Sequence, residues 1–356
     1  MVKQIPPPPS HLVWTRDIWS TAPQACSRLG IRRLLQSTHL SGHQPAAGWR
    51  LPQNFWINGE AYWGGIQLDE VAFPILLAWR LRQENALQDF DPYPMVMRAT
   101  GYLIRNGPAT QQERWEEAEG YSPSTLAASI AALICAAVFA RERGDEETAK
   151  FIEEYADFLD CHIEDWTVTT EGTLVPGIER YFIRIHPVSV YDLCPNESPN
   201  RGILTLANQQ PGVHEIYSAK EIVDAGFLEL VRYGIRKPDD PLIVDSLRVV
   251  DAVLKVKRPA GLSWRRYSHD GYGQREDGGA FKGWGKGRAW PLLTGEWGHY
   301  ELAAGQKPTV YSRNERIRHN GGFAARASMG RTGSSRGSYV SWAANRRRHA
   351  ADVGAR

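Results

Sequence analysis

The sequence predicts an all-α fold in which long helices come in pairs and form a toroid. Apolar residues recur at helical spacing in a series of segments, and several of these segments are separated by only a few residues. Other connections are long and rich in polar, aromatic and glycine residues, which a plain helix bundle would not need. The predicted helices cover residues 69–87, 91–106, 122–143, 146–166, 219–235, 240–256 and 288–304.

Local sequence signals set the bounds of the first predicted helices. In 69–87, Val71 and Ile75 lie one helical turn apart and begin an apolar face. The segment 122–143 is rich in alanine, leucine and isoleucine and stops at Gly144, a residue that commonly follows a helix end. The next helix begins two residues later, so these two helices form a pair.

The second half of the chain is less regular. Residues 167–210 have the composition of short strands and loops rather than of a helix. Pro238 separates the predicted helices 219–235 and 240–256, because proline cannot continue a helix. A glycine-rich loop, 263–287, precedes the last predicted helix.

Composition excludes several classes of protein. The chain has 356 residues, 42% of them hydrophobic, which is enough for a large core in one or two domains. Its four cysteines form no CxxC pair, which argues against a disulfide framework or a zinc site. Thirteen tryptophans are many, and several lie in polar, glycine-rich surroundings that suit a sugar site; the alternative is that they fill a core.

Charge and hydropathy favour neither a nucleic acid nor a membrane as partner. Residues 1–10 contain a run of prolines and no apolar core, so they are not a signal peptide, and the default location is the cytoplasm. The longest apolar run, 126–140, is too short to span a bilayer. The tail, 306–356, is basic, with eleven Lys and Arg and two acids, but we interpret this charge below without invoking nucleic acid.

The stretch 111–117, which leads into helix 122–143, is the strongest candidate for chemistry. It contains Trp115 followed by the adjacent carboxylates Glu116 and Glu117. A carboxyl group against an indole loses hydration, which raises its pKa and keeps a proton donor loaded near neutral pH. The alternative is a solvated acidic helix start, which the helix dipole favours.

Loops that precede helices carry the remaining polar and aromatic residues. These loops are 51–70, 111–123 and 264–287. Loops at one end of a rigid scaffold are where binding and catalytic residues collect.

Five ordered motifs together resemble the catalytic domain of bacterial glucoamylases and glucodextranases, in glycoside hydrolase family 15. The motifs are VWTRD from Val13, PQNFW…YWGGIQLDE, QERWEE…GYSPSTLA, DAGFLELVRYG and GRAWPLLTGE. The resemblance covers residues 11–18 and 51–305. It implies an (α/α)6 barrel, a six-hairpin toroid, that releases glucose from the non-reducing ends of α-glucans with inversion.

The resemblance also implies roles for individual residues. Glu116 corresponds to the general acid, with Glu113 as a less favoured alternative. The residues that correspond to sugar-binding positions are Arg16, Asp17, Trp63, Trp115, Glu117, Arg266 and Trp290. Arg16 and Asp17 have the alternative of a simple ion pair, and Trp290 that of a core residue. The implied partner is an α-glucan oligosaccharide or polysaccharide, and this chemistry requires no metal or organic cofactor.

The general base of this family lies in a Glu-Gln segment after the GRAWPLLTGE helix, and we expect it to be absent from this chain. Glu296 and Glu301 lie nearby but belong to the helix motif. Codons compatible with residues 323–355, when translated in a frame shifted by one nucleotide, can encode the family's segment LPREQAWDGPDLPEAHMYLGRPTG. We therefore predict that 306–356 is an out-of-frame, disordered tail.

The resulting domain prediction is a disordered segment at 1–10, an incomplete (α/α)6 catalytic domain at 11–305, and the tail. Within the domain, 19–50 has a similar but weaker signal of a shifted frame. A chain without its base should hydrolyse α-glucans poorly. The alternatives are a non-catalytic glucan-binding protein and a trehalose-cleaving relative.

Overall fold

A computed structural model describes residues 12–14, 53–56, 61–194, 196–258 and 261–307. The predicted site residues Arg16 and Asp17, the segment 19–50 and nearly all of the tail 306–356 lie outside the described residues. The helices are α1 Leu68–Gln83, α2 Tyr93–Asn106, α3 Pro123–Glu142, α4 Glu146–Thr167, α5 Leu228–Arg232, α6 Pro241–Leu254 and α7 Pro291–Ala303.

In the part of the chain that the structure describes, the strands are short and form four small sheets. Their bounds are β1 Leu12–Trp14, β2 Asn54–Trp56, β3 Ala61–Trp63, β4 Val168–Thr169, β5 Tyr181–Phe182, β6 Ile203–Thr205, β7 Ile216–Ser218, β8 Lys255–Arg258, β9 Gly261–Arg265 and β10 Ala289–Trp290. All paired strands are antiparallel, in the orders β1-β2-β3, β4-β5, β6-β7 and β10-β9-β8.

The chain divides into two compact units. The described residues of the first unit come from positions up to 112 and from 128–160. In this unit, α1 packs along α2, and α1 is buried over nearly its whole length, as expected for a helix that is apolar on most faces. Trp79 and Phe139 meet edge to face with their ring centroids 6.0 Å apart.

The described residues of the second unit come from 113–127 and from 161–307. Its core includes stacked aromatic pairs: Tyr121 with Trp166 at 4.7 Å, and Trp264 with Trp297 at 4.2 Å. The β8–β9 hairpin and α7 pack together here. This unit contains the candidate site.

Helix α3 is long and apolar enough to cross a membrane by length and composition, but 89% of its apolar window is buried. Burial of this kind is typical of the core helix of a globular domain. The predicted pair 122–143 and 146–166 is confirmed within one or two residues at each end, and α4 begins after Asp145, whose side chain accepts a hydrogen bond from the Thr148 backbone N–H.

The predicted helix 219–235 is wrong. The structure has a single 3₁₀ turn at Ala219–Glu221 and the short helix α5, separated by extended backbone at 222–224 and a turn at 225–227. The backbone here bonds to other segments: Ile222 accepts from Arg184 N at 2.8 Å, and Val223 accepts from Ser268 N at 3.2 Å. These hydrogen bonds to distant segments of the same chain replace the i to i−4 bonds that a continuous helix would require.

The start of the last helix also differs from the prediction. Residues Ala289 and Trp290 pair with Arg265 and Trp264 as strand β10, so α7 begins at Pro291 and Trp290 lies just before it. The residues from Ser263 to Arg265, predicted as part of a loop, belong to β9. Both differences arise because antiparallel pairing satisfies these backbone groups across the loop.

Candidate active site

A tight turn at 113–118 holds the two adjacent carboxylates. Glu113 N donates to Ala118 O at 3.0 Å, and Glu116 N donates to Glu113 O at 2.7 Å. Glu116 has a φ of 67°, in the left-handed region that residues other than glycine rarely adopt. Such backbone strain persists only where the surrounding structure enforces it, and it is commonly found at functional sites. The side chain of Glu116 is exposed.

Gly120 fixes the far end of this turn. Its φ is 141°, and a Cβ at this position would lie 2.1 Å from the backbone oxygen of His186. The approach is close because Tyr121 and His186 exchange two backbone hydrogen bonds of 2.9 Å. Only glycine fits here, so the turn enters α3 along one fixed path.

Glu117 is held by donors from four side chains, which we call the Glu117 clamp: Arg184, Asn208, Arg266 and Tyr267. Oε1 accepts from Asn208 Nδ2 at 2.9 Å and from Arg266 Nη2 at 2.9 Å. Oε2 accepts from Arg184 Nη2 at 3.2 Å and from the Tyr267 hydroxyl. Because donors are directed at both oxygens, Glu117 is arranged as an acceptor, and its orientation is fixed.

Arg266 links the clamp to an aromatic cage. Its Nε and Nη2 form a bidentate pair with Asp270 at 2.9 and 2.6 Å. The guanidinium carbon lies 4.7–5.8 Å from the centroids of four rings, those of Trp115, Tyr267, Tyr272 and Trp290. Among the described residues, Nη1 of Arg266 has no hydrogen-bond partner.

Arg184 is buried behind the turn and bridges two acids. Nη2 donates to Glu113 Oε1 at 2.7 Å as well as to Glu117, and the guanidinium carbon lies 3.8 Å from the Tyr267 ring centroid. Burial lowers the pKa of Arg184, but Glu113, Tyr267 and Glu117 together raise it above its ordinary value, so the group stays charged. Burial also raises the pKa of Tyr267, which keeps its hydroxyl a donor.

The desolvated carboxyl group beside the indole of Trp115 is Asp224 rather than Glu116. Asp224 Oδ2 accepts from Trp115 Nε1 at 2.9 Å, and Oδ1 accepts from Gly226 N at 2.9 Å. Burial raises the pKa of Asp224 to about 6, although Arg114 lowers it. The expected pairing of a carboxyl group with an indole is therefore present, on a residue that the sequence did not single out.

Glu296, considered as a nearby acid, is engaged elsewhere. Its Oε1 is paired with Arg114 in a buried contact, and the Arg114 guanidinium carbon lies 4.7 Å from the centroid of the Trp115 ring. Burial raises the pKa of Glu296, while Arg114 opposes the shift. Among the residues that the structure describes, no group of three or more His, Cys, Asp or Glu side chains is placed to hold a metal ion.

Several predicted site residues meet in the second unit. Trp115 and Trp290 are in edge-to-face contact at 6.2 Å, and both lie against Arg266, which binds Glu117. Trp290 therefore belongs to the aromatic cage and not to a helix core. Trp63 lies on β3 in the first unit, is 47% exposed, and its backbone N donates to Asn54 Oδ1 at 3.1 Å.

Sequence reasoning missed five residues of the site: Arg184, Asn208, Asp224, Tyr267 and Asp270. Asp224 lies in the motif DAGFLELVRYG, where the apolar spacing predicted a helix. Tyr267 and Asp270 lie in the glycine-rich loop, whose composition did not distinguish them from their neighbours. For Arg184 and Asn208 the sequence carries no comparable signal.

A family model described as "Glycosyl hydrolases family 15" matches residues 49–342. The chain belongs to this family. A curated glucoamylase of Clostridium sp. (strain G0005) is 42% identical over 315 residues, which is 88% of this chain and 42% of the relative. The chain thus spans about two fifths of the length of that relative.

Solved structures support the fold. The crystal structure of a bacterial glucoamylase complexed with acarbose matches with a TM-score of 0.73 and 41% identity, over 85% of this chain and 42% of that one. A glucoamylase from Saccharomycopsis fibuligera matches with a TM-score of 0.50 and 16% identity, over 82% of this chain and 63% of the other. The predicted fold class, all-α of the (α/α)6 type, is confirmed by the first of these matches.

Proposed function

We propose that this chain is an exo-acting, inverting α-glucosidase of glucoamylase type, acting on the non-reducing ends of α-glucans, in which the general acid is present and the general base is absent. Family membership and two glucoamylase relatives above 40% identity support the reaction class. The observation that carries the assignment of roles is the contrast between two adjacent carboxylates. Glu117 is fixed by four donors, whereas Glu116 is exposed on a strained turn.

Glu116 has the geometry of the proton donor in this proposal. Its backbone is left-handed, and its side chain is exposed where that of Glu117 is partly buried, so a glycosidic oxygen can reach it. Proton transfer to the leaving oxygen breaks the bond to the anomeric carbon, while water attacks that carbon from the opposite face.

Glu117 and Arg266 bind the terminal glucose. The four clamp donors occupy the acceptor positions of Glu117, so in this proposal a sugar hydroxyl binds Glu117 by replacing one of them, and Arg266 Nη1 donates to the sugar. The cage rings Tyr272 and Trp290 flank this arginine, and aromatic faces suit the apolar faces of a pyranose. Trp115 is 8% exposed, so only an edge of its indole can touch a sugar. Trp63, Arg16 and Asp17 keep their proposed sugar-binding roles.

The second half of the reaction needs a carboxylate roughly 6.5–9.5 Å from the acid, with room for water between them. In this family the base follows the segment that ends in α7, where this sequence departs from the family pattern. The proposal therefore includes poor turnover by this chain and normal turnover once the reading frame after residue 305 is restored.

The test is glucose release from maltotriose by this chain and by the frame-restored protein, each with Glu116→Gln and Glu117→Gln. In the restored protein, Glu116→Gln should lower kcat roughly 10²–10⁴-fold, the range typical of a general acid, while acarbose binding persists. Glu117→Gln should instead weaken acarbose binding. The assignment would be refuted if the frame-restored protein released glucose from maltotriose at the same rate with and without Glu116→Gln.

Two other outcomes identify the alternatives. Acarbose binding without turnover in both proteins would indicate a non-catalytic glucan-binding protein. Faster cleavage of trehalose than of maltose by the restored protein would indicate the trehalose-cleaving relative.

A further inference from the structure

Asp224 is a buried acid to which the proposed chemistry gives no role. It is 3% exposed and lies on the extended segment between the 3₁₀ turn and α5. Asp224 forms a backbone bridge with Tyr267, whose hydroxyl belongs to the Glu117 clamp. A buried carboxyl group needs partners, and its partners here come from the site.

The side chain of Asp224 joins two parts of the site. One oxygen accepts from the indole Nε1–H of Trp115, and the other accepts from the backbone N–H of Gly226, both at 2.9 Å. The bond to Gly226 fixes the rotamer of Asp224, so the oxygen that meets the indole has little freedom. A hydrogen bond from a neutral donor to an ionised acceptor is stronger than one between neutral groups.

Trp115 in turn supports the residues on either side of it. Its ring contacts Trp290 edge to face, and the guanidinium of Arg266 lies 5.4 Å from its centroid. Its backbone lies directly before Glu116 and Glu117, and its own N–H donates to Glu113 Oε2 at 2.9 Å. Rotation of the indole would therefore displace a wall of the aromatic cage and disturb the turn.

We infer that Asp224 is a positioning residue that fixes the indole of Trp115, and through it the aromatic cage that contacts the sugar. This inference rests on the proposed function for its effect on sugar binding, but the hydrogen bond itself can be tested without a ligand. The charged groups that face Asp224 are Arg114 and Glu113, which act on its ionisation in opposite directions.

The chain contains a matched control. Trp264 Nε1 donates to Asp251 Oδ1, also at 2.9 Å, in the same unit. Asp251 is paired with Lys255 and belongs to no part of the site. Asp224→Asn and Asp251→Asn therefore remove the same kind of carboxylate–indole bond at two places. The Trp115 ring contacts the ring of Trp290 in the cage, whereas the Trp264 ring stacks on Trp297 and only the backbone of Trp264 pairs with Trp290.

The first measurement is the indole N–H resonance of Trp115, assigned by its disappearance in Trp115→Phe. Asp224→Asn should shift this resonance and speed the exchange of the indole hydrogen. An asparagine has one acceptor oxygen in place of two, so its NH₂ group must face either the indole N–H of Trp115 or the backbone N–H of Gly226. Asp251→Asn should change the Trp264 resonance and leave that of Trp115 in place. An unchanged Trp115 resonance in Asp224→Asn overturns the inference.

The second measurement is acarbose affinity by calorimetry. Asp224→Asn should weaken binding about tenfold, the loss expected when one charge-assisted hydrogen bond no longer holds a contact wall. Asp251→Asn should leave the affinity within about twofold. Equal losses in the two variants overturn the inference, because they would reflect general destabilisation.

A titration of the unmodified protein decides the matter if Asp224→Asn does not fold. The Trp115 resonance should move with a midpoint near the pKa of Asp224, which is about 6, because protonation weakens the acceptor. A Trp115 resonance that is constant across this range contradicts the inference. Failure of the unmodified chain to bind acarbose contradicts the proposed function instead, so the two failures are distinguishable.

Discussion

Among the described residues, each unit contains an arginine that lies between two glutamates. In the first unit, Arg141 at the end of α3 contacts Glu146 and Glu153, all at 3.0 Å, and these side chains are 34–67% exposed. In the second unit, Arg184 contacts Glu113 at 2.7 Å and Glu117 at 3.2 Å, with the arginine 1% exposed. We call these the surface network and the buried network.

The two networks share their chemistry and differ in their surroundings. At the surface, water screens each pair and competes for each charge, so such ion pairs contribute little to stability. In the buried network, every charge has lost its hydration and depends on its partners. The same residue types thus fasten two helices in one unit and orient Glu117, the carboxylate that we propose binds sugar, in the other.

The largest expected effect is that of Arg184→Met, which breaks the buried network. It leaves Glu113 and Glu117 without a shared cation, and removing one partner of a buried pair costs about 3–5 kcal/mol. The thermal midpoint should fall sharply, and acarbose binding should be lost with the orientation of Glu117. Arg184→Lys, which keeps the charge without the planar fork, should recover part of both.

The comparison would fail if Arg184→Met unfolded within about 1 kcal/mol of the unmodified protein, the range typical of an exposed pair. The buried network would then be no more important to the fold than the surface network.

Local patterns account for what the sequence predicted correctly. The α3–α4 pair was predictable because an apolar run, Gly144 and the polar residues after it are neighbours in the chain. The segment 219–235 was mispredicted for the same reason. Its apolar spacing fits a helix, but backbone bonds from Arg184 and Ser268 hold its first part extended. A local pattern contains no information about such distant partners.

The site shows the same limit. Glu116 and Glu117 were recognisable because the motif around Trp115 is continuous in the sequence. The Glu117 clamp was not, since Arg184, Asn208 and Tyr267 are 67, 91 and 150 residues away from Glu117. Each of these types is common in loops, and only the fold selects the ones that meet the carboxylate.

A smaller effect is expected from Tyr267→Phe, which tests whether the buried network orients Glu117 or only stabilises the unit. The change removes the hydroxyl that donates to Glu117 Oε2 and leaves the ring against Arg184. Loss of one donor to a buried charged acceptor should cost about 1–3 kcal/mol of stability. Acarbose affinity should fall about tenfold, measured by calorimetry.

Tyr181→Phe is the matched control for this change. The Tyr181 hydroxyl donates to the backbone oxygen of Lys220 at 2.8 Å and also bonds to the backbone at Thr173 and Leu174, so its loss likewise removes buried hydrogen bonds within the second unit. It should lower stability by a similar amount and leave acarbose affinity unchanged. Equal effects of the two variants on affinity would mean that the clamp has no orienting role.

The smallest effect is expected from Arg141→Met in the surface network. Arg141 and Arg184 each pair with two carboxylates, and Arg141 donates five hydrogen bonds to its partners where Arg184 donates two. The loss of Arg141 should nevertheless cost less than about 1 kcal/mol, because each partner can return to water. That small cost should shrink further between low and high salt, since screening weakens exposed pairs much more than buried ones. Thermal unfolding of both arginine variants across the salt range measures this directly. A loss from Arg141→Met as large as that from Arg184→Met, and independent of salt, would show that burial does not separate the two networks. A small, salt-sensitive loss would show that the number of hydrogen bonds in an ion pair matters less than whether its charges can be rehydrated.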